Sequence, residues 1–208
     1  MKKSFIFTLL MSVILFCSCN SCQKKSTEPI QKDSILVVEN VVSIDRDTMF
    51  NQHGDDYRWY ETYIVLDNFL DEENEGKIGE VINVFQTVVN RADGYDTQVY
   101  KIQHFKNDSI VTDSVKGFWV EDFPLNIKDI KVPFDSAFNL VMQANLPKPH
   151  SRYCVLRKEI GPNVINPQYI FGNNKSQIYV DATTGKITDK NPAFPENTKL
   201  SKIDIEWP

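Results

Sequence analysis

Short runs rich in Val, Ile, Tyr, Phe and Trp, each closed by Gly, Pro, Asn or Asp, recur along this chain and constrain its fold more than any other feature. "ILVVENVVSI" (35–44), "YRWYETYIVL" (57–66), "EVINVFQTVV" (80–89), "TQVYKIQHF" (97–105) and "GFWVEDF" (117–123) read as strands. In the second of these Trp59, Tyr63, Leu66 and Leu70 also fit a helical face, but its aromatic and β-branched content favours a strand. Punctuation such as Asp93-Gly94 at this spacing describes an antiparallel meander, with the acidic "DEENEG" (71–76) as a solvated loop. One helix follows in "PFDSAFNLVMQANLPKP" (133–149), with Asp135 as its N-cap and Pro147 as its stop. Phe134, Phe138 and Val141 line one side of it, and Ala137, Leu140 and Ala144 widen the stripe, so a sheet is expected to cover it. "SRYCVLRKEI" (151–160), "PQYIFGN" (167–173) and "SQIYVDATTGKIT" (176–188) then read as strands, with Tyr153 and Val155 facing away from Cys154 and Leu156. The tail "KIDIEWP" (202–208) alternates like an edge strand or a fraying end. The expected fold is α+β, antiparallel sheet with one principal helix.

The first residues carry an address rather than a fold. Lys2 and Lys3 precede an apolar run from Phe5 to Phe16, twelve residues against the ~18 that a spanning helix needs. A positive start before a short apolar run is an export signal. The following "LFCSC" (15–19) resembles the lipobox of bacterial lipoproteins, with small Ser18 before Cys19. That resemblance implies cleavage after residue 18 and a lipid on the Cys19 thiol; Cys17, behind bulky Phe16, and Cys22, further from the run, are the alternatives. Residues 19–34 are polar and read as a tether to a domain held at the cell envelope, on a face the sequence leaves open.

Removing residues 1–18 takes away two Lys and no acids, leaving 21 basic and 28 acidic side chains, formally −7. An acidic surface argues against nucleic acid or an anionic bilayer as the main partner. With Cys19 lipidated, Cys22 lies in the tether and Cys154 in the folded part, so no structural disulfide is expected.

The residue pattern assembles no catalytic grouping. No Gly-x-Ser-x-Gly is present, and "GNNKS" (172–176) lacks the Gly that a phosphate loop needs before its Lys. His150 and Cys154, four residues apart on one strand, would stand about 13 Å apart, beyond hydrogen-bond reach. His53, His104 and His150 have no metal-ligand spacing, and His53, Asp55 and Asp56 read more simply as a polar turn. "DNFLDEENE" (67–75) lacks the pattern of a calcium loop. Two surface hints remain: a basic group of Lys148, His150, Arg152, Arg157 and Lys158 suited to a carboxylate-bearing peptide or acidic glycan, and an aromatic set of Trp59, Tyr60, Tyr63, Phe118 and Trp119. Solvated strand residues and sheet core are the plainer readings of these two sets.

The order helix, strand, strand, strand-turn-strand from about residue 132 to 189, with the Ala137 helix, Tyr179-Val180-Asp181-Ala182 and then Thr184-Gly185-Lys186-Ile187, resembles a PepSY-like domain. The whole chain is similar to small PepSY-like lipoproteins of gut-type Gram-negative bacteria. The resemblance divides the chain into a signal (1–18), a tether (19–34), a mainly β region (35–128) that includes the reading of a diverged second copy, and a PepSY-like α-β-β-β region with a tail (129–208). It implies a noncatalytic binding or regulatory role toward a peptidase or peptide; the residues themselves call for no cofactor or metal. The alternatives are a structural accessory of an envelope complex and a hydrolase with dispersed residues. Within "YVDATTGKI", Asp181 is expected to cap the turn and Gly185 to take a positive φ.

Overall fold

The computed structural model describes residues 35–91, 94–119 and 122–195. Two α-helices and nine strands follow one another as α1 (Val38–His53), β1 (Tyr57–Leu66), β2 (Ile78–Arg91), β3 (Gly94–Phe105), β4 (Ile110–Lys116), β5 (Asp122–Phe123), α2 (Phe134–Gln143), β6 (Tyr153–Glu159), β7 (Gln168–Asn173), β8 (Ser176–Asp181) and β9 (Ile187–Thr188). The strands form one antiparallel sheet in the order β4-β3-β2-β1-β6-β7-β8-β9, with β5 paired to the end of β6. The fold class is α+β, as the strand runs require.

The order has an internal symmetry. Each helix is followed by four strands of the main sheet, and β1 and β6, the first strand of each set, meet antiparallel at the centre. The remaining strands run outward in sequence order on both sides, β2-β3-β4 one way and β7-β8-β9 the other.

Both helices pack on one face. Val38, Val41, Val42 and Met49 of α1 and Phe134, Ala137, Phe138 and Val141 of α2 join Ile64, Leu66, Val81, Phe85, Cys154, Leu156, Tyr169, Phe171, Ile178 and Val180 in one core. At its centre Phe134 stacks on Phe171 with centroids 5.9 Å apart and meets Tyr169 edge-on at 6.1 Å. Burying each such side chain contributes roughly 1.5–3 kcal/mol. Among the described residues the opposite face carries no helix, and Val155, Ile170 and Tyr179, with Tyr63 packed on them, form a small apolar cluster there.

Four expectations need correction. The Val-rich 35–44 run is not a strand: it holds the first turns of α1, whose buried Val38, Val41, Val42, Asp45 and Met49 recur at helical spacing. β-Branched content is a weaker determinant than a face that can be buried. Asp135 does not cap α2. The N-cap position is Pro133, and the Phe134 amide donates to Glu39 Oε1 of α1 at 2.7 Å, so one helix supplies the other's cap. α2 ends at Gln143, ahead of Pro147, and Lys148 Nζ covers its end by donating to Ala144 O and Leu146 O. Of the expected 117–123 strand, 117–119 are not strand and Asp122–Phe123 form β5, while β4, "IVTDSVK", forms where no strand was expected.

The turn after β8 is built as its residues suggest. Asp181 Oδ1 accepts the Thr183 and Thr184 amides, both at 2.8 Å, and Gly185 has φ +75°. Ala182 O accepts the Lys131 and Val132 amides and Thr183 Oγ1 donates to Asp129 O, so the turn braces the segment leading into α2.

The two sheet edges differ. β9 is two residues long, as a protected edge tends to be, whereas β4 presents seven consecutive exposed residues.

Candidate functional site

The helix-free face of the sheet is the candidate binding surface. A depression of about 380 Å³ lies across it. Tyr63 and Val65 of β1, Arg152 and Tyr153 at the start of β6, Glu80 and Ile82 of β2, Lys101 and Gln103 of β3, and Val111 and Asp113 of β4 line it. Antiparallel register explains why these side chains converge: Tyr63 pairs with Ile82, Ile82 with Gln103, and Gln103 with Val111, so one residue in two from four strands points the same way. Gln103 Nε2 donates to Glu80 Oε1 at 2.5 Å, which fixes part of the polar floor. Two cations, two carboxylates and two phenols over an apolar base suit a polar polypeptide surface. They contain no nucleophile paired with a base.

A buried charge cluster lies on the same face toward the far end of β1. A bulge at Tyr60, between Trp59↔Phe85 and Glu61↔Val84, keeps Trp59 on the helix side and turns Glu61 to the open side. There the guanidinium of Arg157 lies 3.6 Å from Glu61 Oε1 and 3.8 Å from Asp122 Oδ1, and its Nη2 donates to Glu159 Oε1. All four residues are buried. One cation among three acids leaves excess negative charge, and the cluster relieves it by holding a proton. Burial, reinforced by the neighbouring Glu61 carboxylate, pushes the Asp122 carboxyl up to about 9. Burial disfavours the Arg157 cation, but Glu159, Asp122 and Glu61 outweigh it and raise the guanidinium pKa further. Burial next to Glu61 likewise raises the Tyr63 phenol. The segment around β5 covers this cluster, tied down by Asp122 pairing with Glu159 and by Leu125 N donating to Trp59 O at 2.7 Å. Buried in this way, the cluster clamps β5 to β1 and β6.

A second buried network lies under α1. Asp45 accepts from Asn83 Nδ2 through Oδ2 and meets His104 Nε2 through Oδ1, both at 2.7 Å. Thr62 Oγ1 donates to Asn83 Oδ1 at 2.5 Å and accepts from Trp59 Nε1 at 3.1 Å. An Asp–His pair invites a catalytic reading. The hydroxyl on this network, however, is spent on Asn83, and both helix and sheet enclose it. Its evident action is to pin α1 to β2 and β3.

The residues singled out in the sequence are scattered. Cys154 is a free thiol buried on the helix side, and burial raises its pKa well above the ordinary value. His150 is exposed, stacked on Phe69 at 4.1 Å and bonded to Asp71 at 3.0 Å. His53 closes α1 with its ring against Tyr100, while Asp55 and Asp56 are exposed. No group of three metal-ligating side chains occurs among the described residues. The basic set divides: Arg157 joins the buried clamp, Arg152 lines the depression, and Lys148 caps α2. The aromatic set divides too, with Trp59 in the core, Tyr63 at the depression and Phe118 exposed. Cys17, Cys19, Cys22 and the 202–208 tail lie outside the described residues.

Sequence reasoning missed Glu61, Asp122 and Glu159. The available signal was one acid in the middle of an aromatic strand, since alternation makes Glu61 the neighbour of Arg157 once β1 and β6 pair. No protein-family model, no curated protein and no solved structure matches the chain.

Proposed function

We propose that this is an exported, lipid-anchored and noncatalytic protein of the bacterial cell envelope, held by Cys19 and binding a polypeptide partner on the helix-free face of its sheet. The observation that carries the binding role is the contrast between the two faces. One is covered by α1 and α2, while the other leaves charged and aromatic side chains around an open depression. The polar groups with catalytic character are enclosed, the Arg157 cluster in ion pairs and the Asp45–His104 pair in hydrogen bonds. The PepSY-like resemblance of residues 132–189 supports a regulatory partner such as a peptidase or peptide.

The test is recovery of a partner from native envelopes by crosslinking, with and without the paired substitutions Lys101→Glu and Arg152→Glu. Both side chains border the depression, and neither belongs to the apolar core. The expected result is a specific polypeptide captured by the unaltered protein and lost with the charge-reversed one. Equal capture by both would remove the open face from the reading.

A further inference from the structure

We propose that β4 is a docking edge that takes an extended partner segment as an added strand, selected by a basic residue set against Asp113. The inference rests on the open face being the binding side, because Val111 and Asp113 belong both to this edge and to the rim of the depression.

Three observations carry it. The first is backbone parity. Phe105 N donates to Ser109 O and Gly117 N donates to Thr97 O, both at 3.0 Å, and the register between these bonds is unbroken. Odd-numbered residues of the segment therefore bond to β3, and the peptide groups of Ile110, Thr112, Ser114 and Lys116 point away from the sheet. Among the described residues no strand pairs with that side.

The second is exposure. Natural edges are kept short, twisted or charged. β4 carries Asp113 and Lys116 but is long for an edge, seven residues, with Ile110, Val111 and Val115 more than half exposed. Its counterpart at the other end of the sheet, β9, is two residues long.

The third is a guard with a charge. Ser114 N, one of the outward donors, is occupied by Asp113 Oδ1 at 2.7 Å. A neutral strand must break that bond without return. A Lys or Arg opposite Asp113 draws the carboxylate to itself and releases the Ser114 amide for backbone pairing. Charge recognition and strand addition are thereby one event. The same carboxylate works against a second copy of this chain. An antiparallel self-pairing centred on the strand sets Asp113 against Asp113, and sliding it to avoid this sets Asp113 against Val111 or Val115. The edge thus fits a segment with a basic residue flanked at two positions on either side by aliphatic ones, which meet Val111 and Val115.

The probe is a fluorescent nonapeptide, Gly-Ser-Val-Thr-Lys-Thr-Val-Ser-Gly, titrated against the full-length protein in detergent and followed by anisotropy. Binding is expected, and replacing the peptide Lys by Glu should weaken it about fivefold. Asp113→Ala removes both guard and charge and leaves Lys101, its partner across the β3–β4 pair, so the preference for the Lys peptide should be lost. Thr112→Pro deletes an outward amide that β3 does not use, a position where an edge strand accepts Pro. It should abolish binding and leave the melting curve in place. Retained binding in Thr112→Pro, no binding of the Lys peptide, or no preference for Lys over Glu each overturns the proposal. Sedimentation showing a dimer that Thr112→Pro dissolves would also overturn it, by assigning the edge to a second copy. If charge reversal at Lys101 and Arg152 abolishes capture of an envelope partner while Thr112→Pro does not, the edge proposal fails and the open-face reading stands. If neither change matters, both fail.

Discussion

Gly185 and Asp122 show how single residues here are set by backbone and burial rather than by a ligand. Gly185 has φ +75°, and a Cβ there would meet nothing closer than Leu140 Cδ1 at 3.5 Å. The space is adequate and the conformation is not, so Gly185→Val should destabilise the fold by about 1–3 kcal/mol, a loss read in denaturant titration. Gly185→Asn should cost less, because Asn tolerates positive φ. Unchanged stability of the Val variant would refute this account of the turn. At Asp122 the folded state holds a proton that the unfolded chain releases. Its carboxyl is raised from 3.8 to about 9, so its contribution to stability is complete below the lower value and is lost as pH rises through the upper one. Asp122→Asn keeps a hydrogen-bonding group of the same shape and removes the titration. The variant's stability advantage over the unaltered protein should therefore grow between about pH 5 and about pH 8, reaching roughly 1–3 kcal/mol. A pH-independent difference would contradict the reading that Asp122 holds a proton in the clamp.

Elements show how far residue patterns reach. Strands β1, β2, β3, β6, β7 and β8 were legible because they are short runs rich in β-branched and aromatic residues whose ends carry turn residues. α1 was not, because Val37, Val38, Val41 and Val42 give it strand-like composition while its helical face is defined only by what covers it. β4 was not, because an edge strand with both faces exposed has no apolar alternation to read. The capping of α2 was equally hidden, since Glu39 and Phe134 lie 95 residues apart. That cap yields a prediction: Glu39→Ala should leave the Phe134 amide without its acceptor and cost about 1 kcal/mol, visible as a lower melting temperature. No change in melting would mean that water replaces the carboxylate at no cost.

At the scale of the molecule, the sequence carried the fold class but not the candidate site. The clamp draws Glu61, Asp122, Arg157 and Glu159 from three separate stretches, and the depression draws from five strands, so neither has a local motif. The proposed address at the N-terminus has its own test. If Cys19 is the anchor, Cys19→Ala should abolish acyl labelling and release the protein from membranes, while continued labelling would move the anchor to Cys17 or Cys22. The binding role is tested most directly by where a partner touches. A photo-crosslinking residue at Lys101, on the open face, should capture a specific polypeptide in native envelopes. The same residue at Asn139, exposed on α2, should not. Capture from Asn139 alone, or from neither position, would contradict the account.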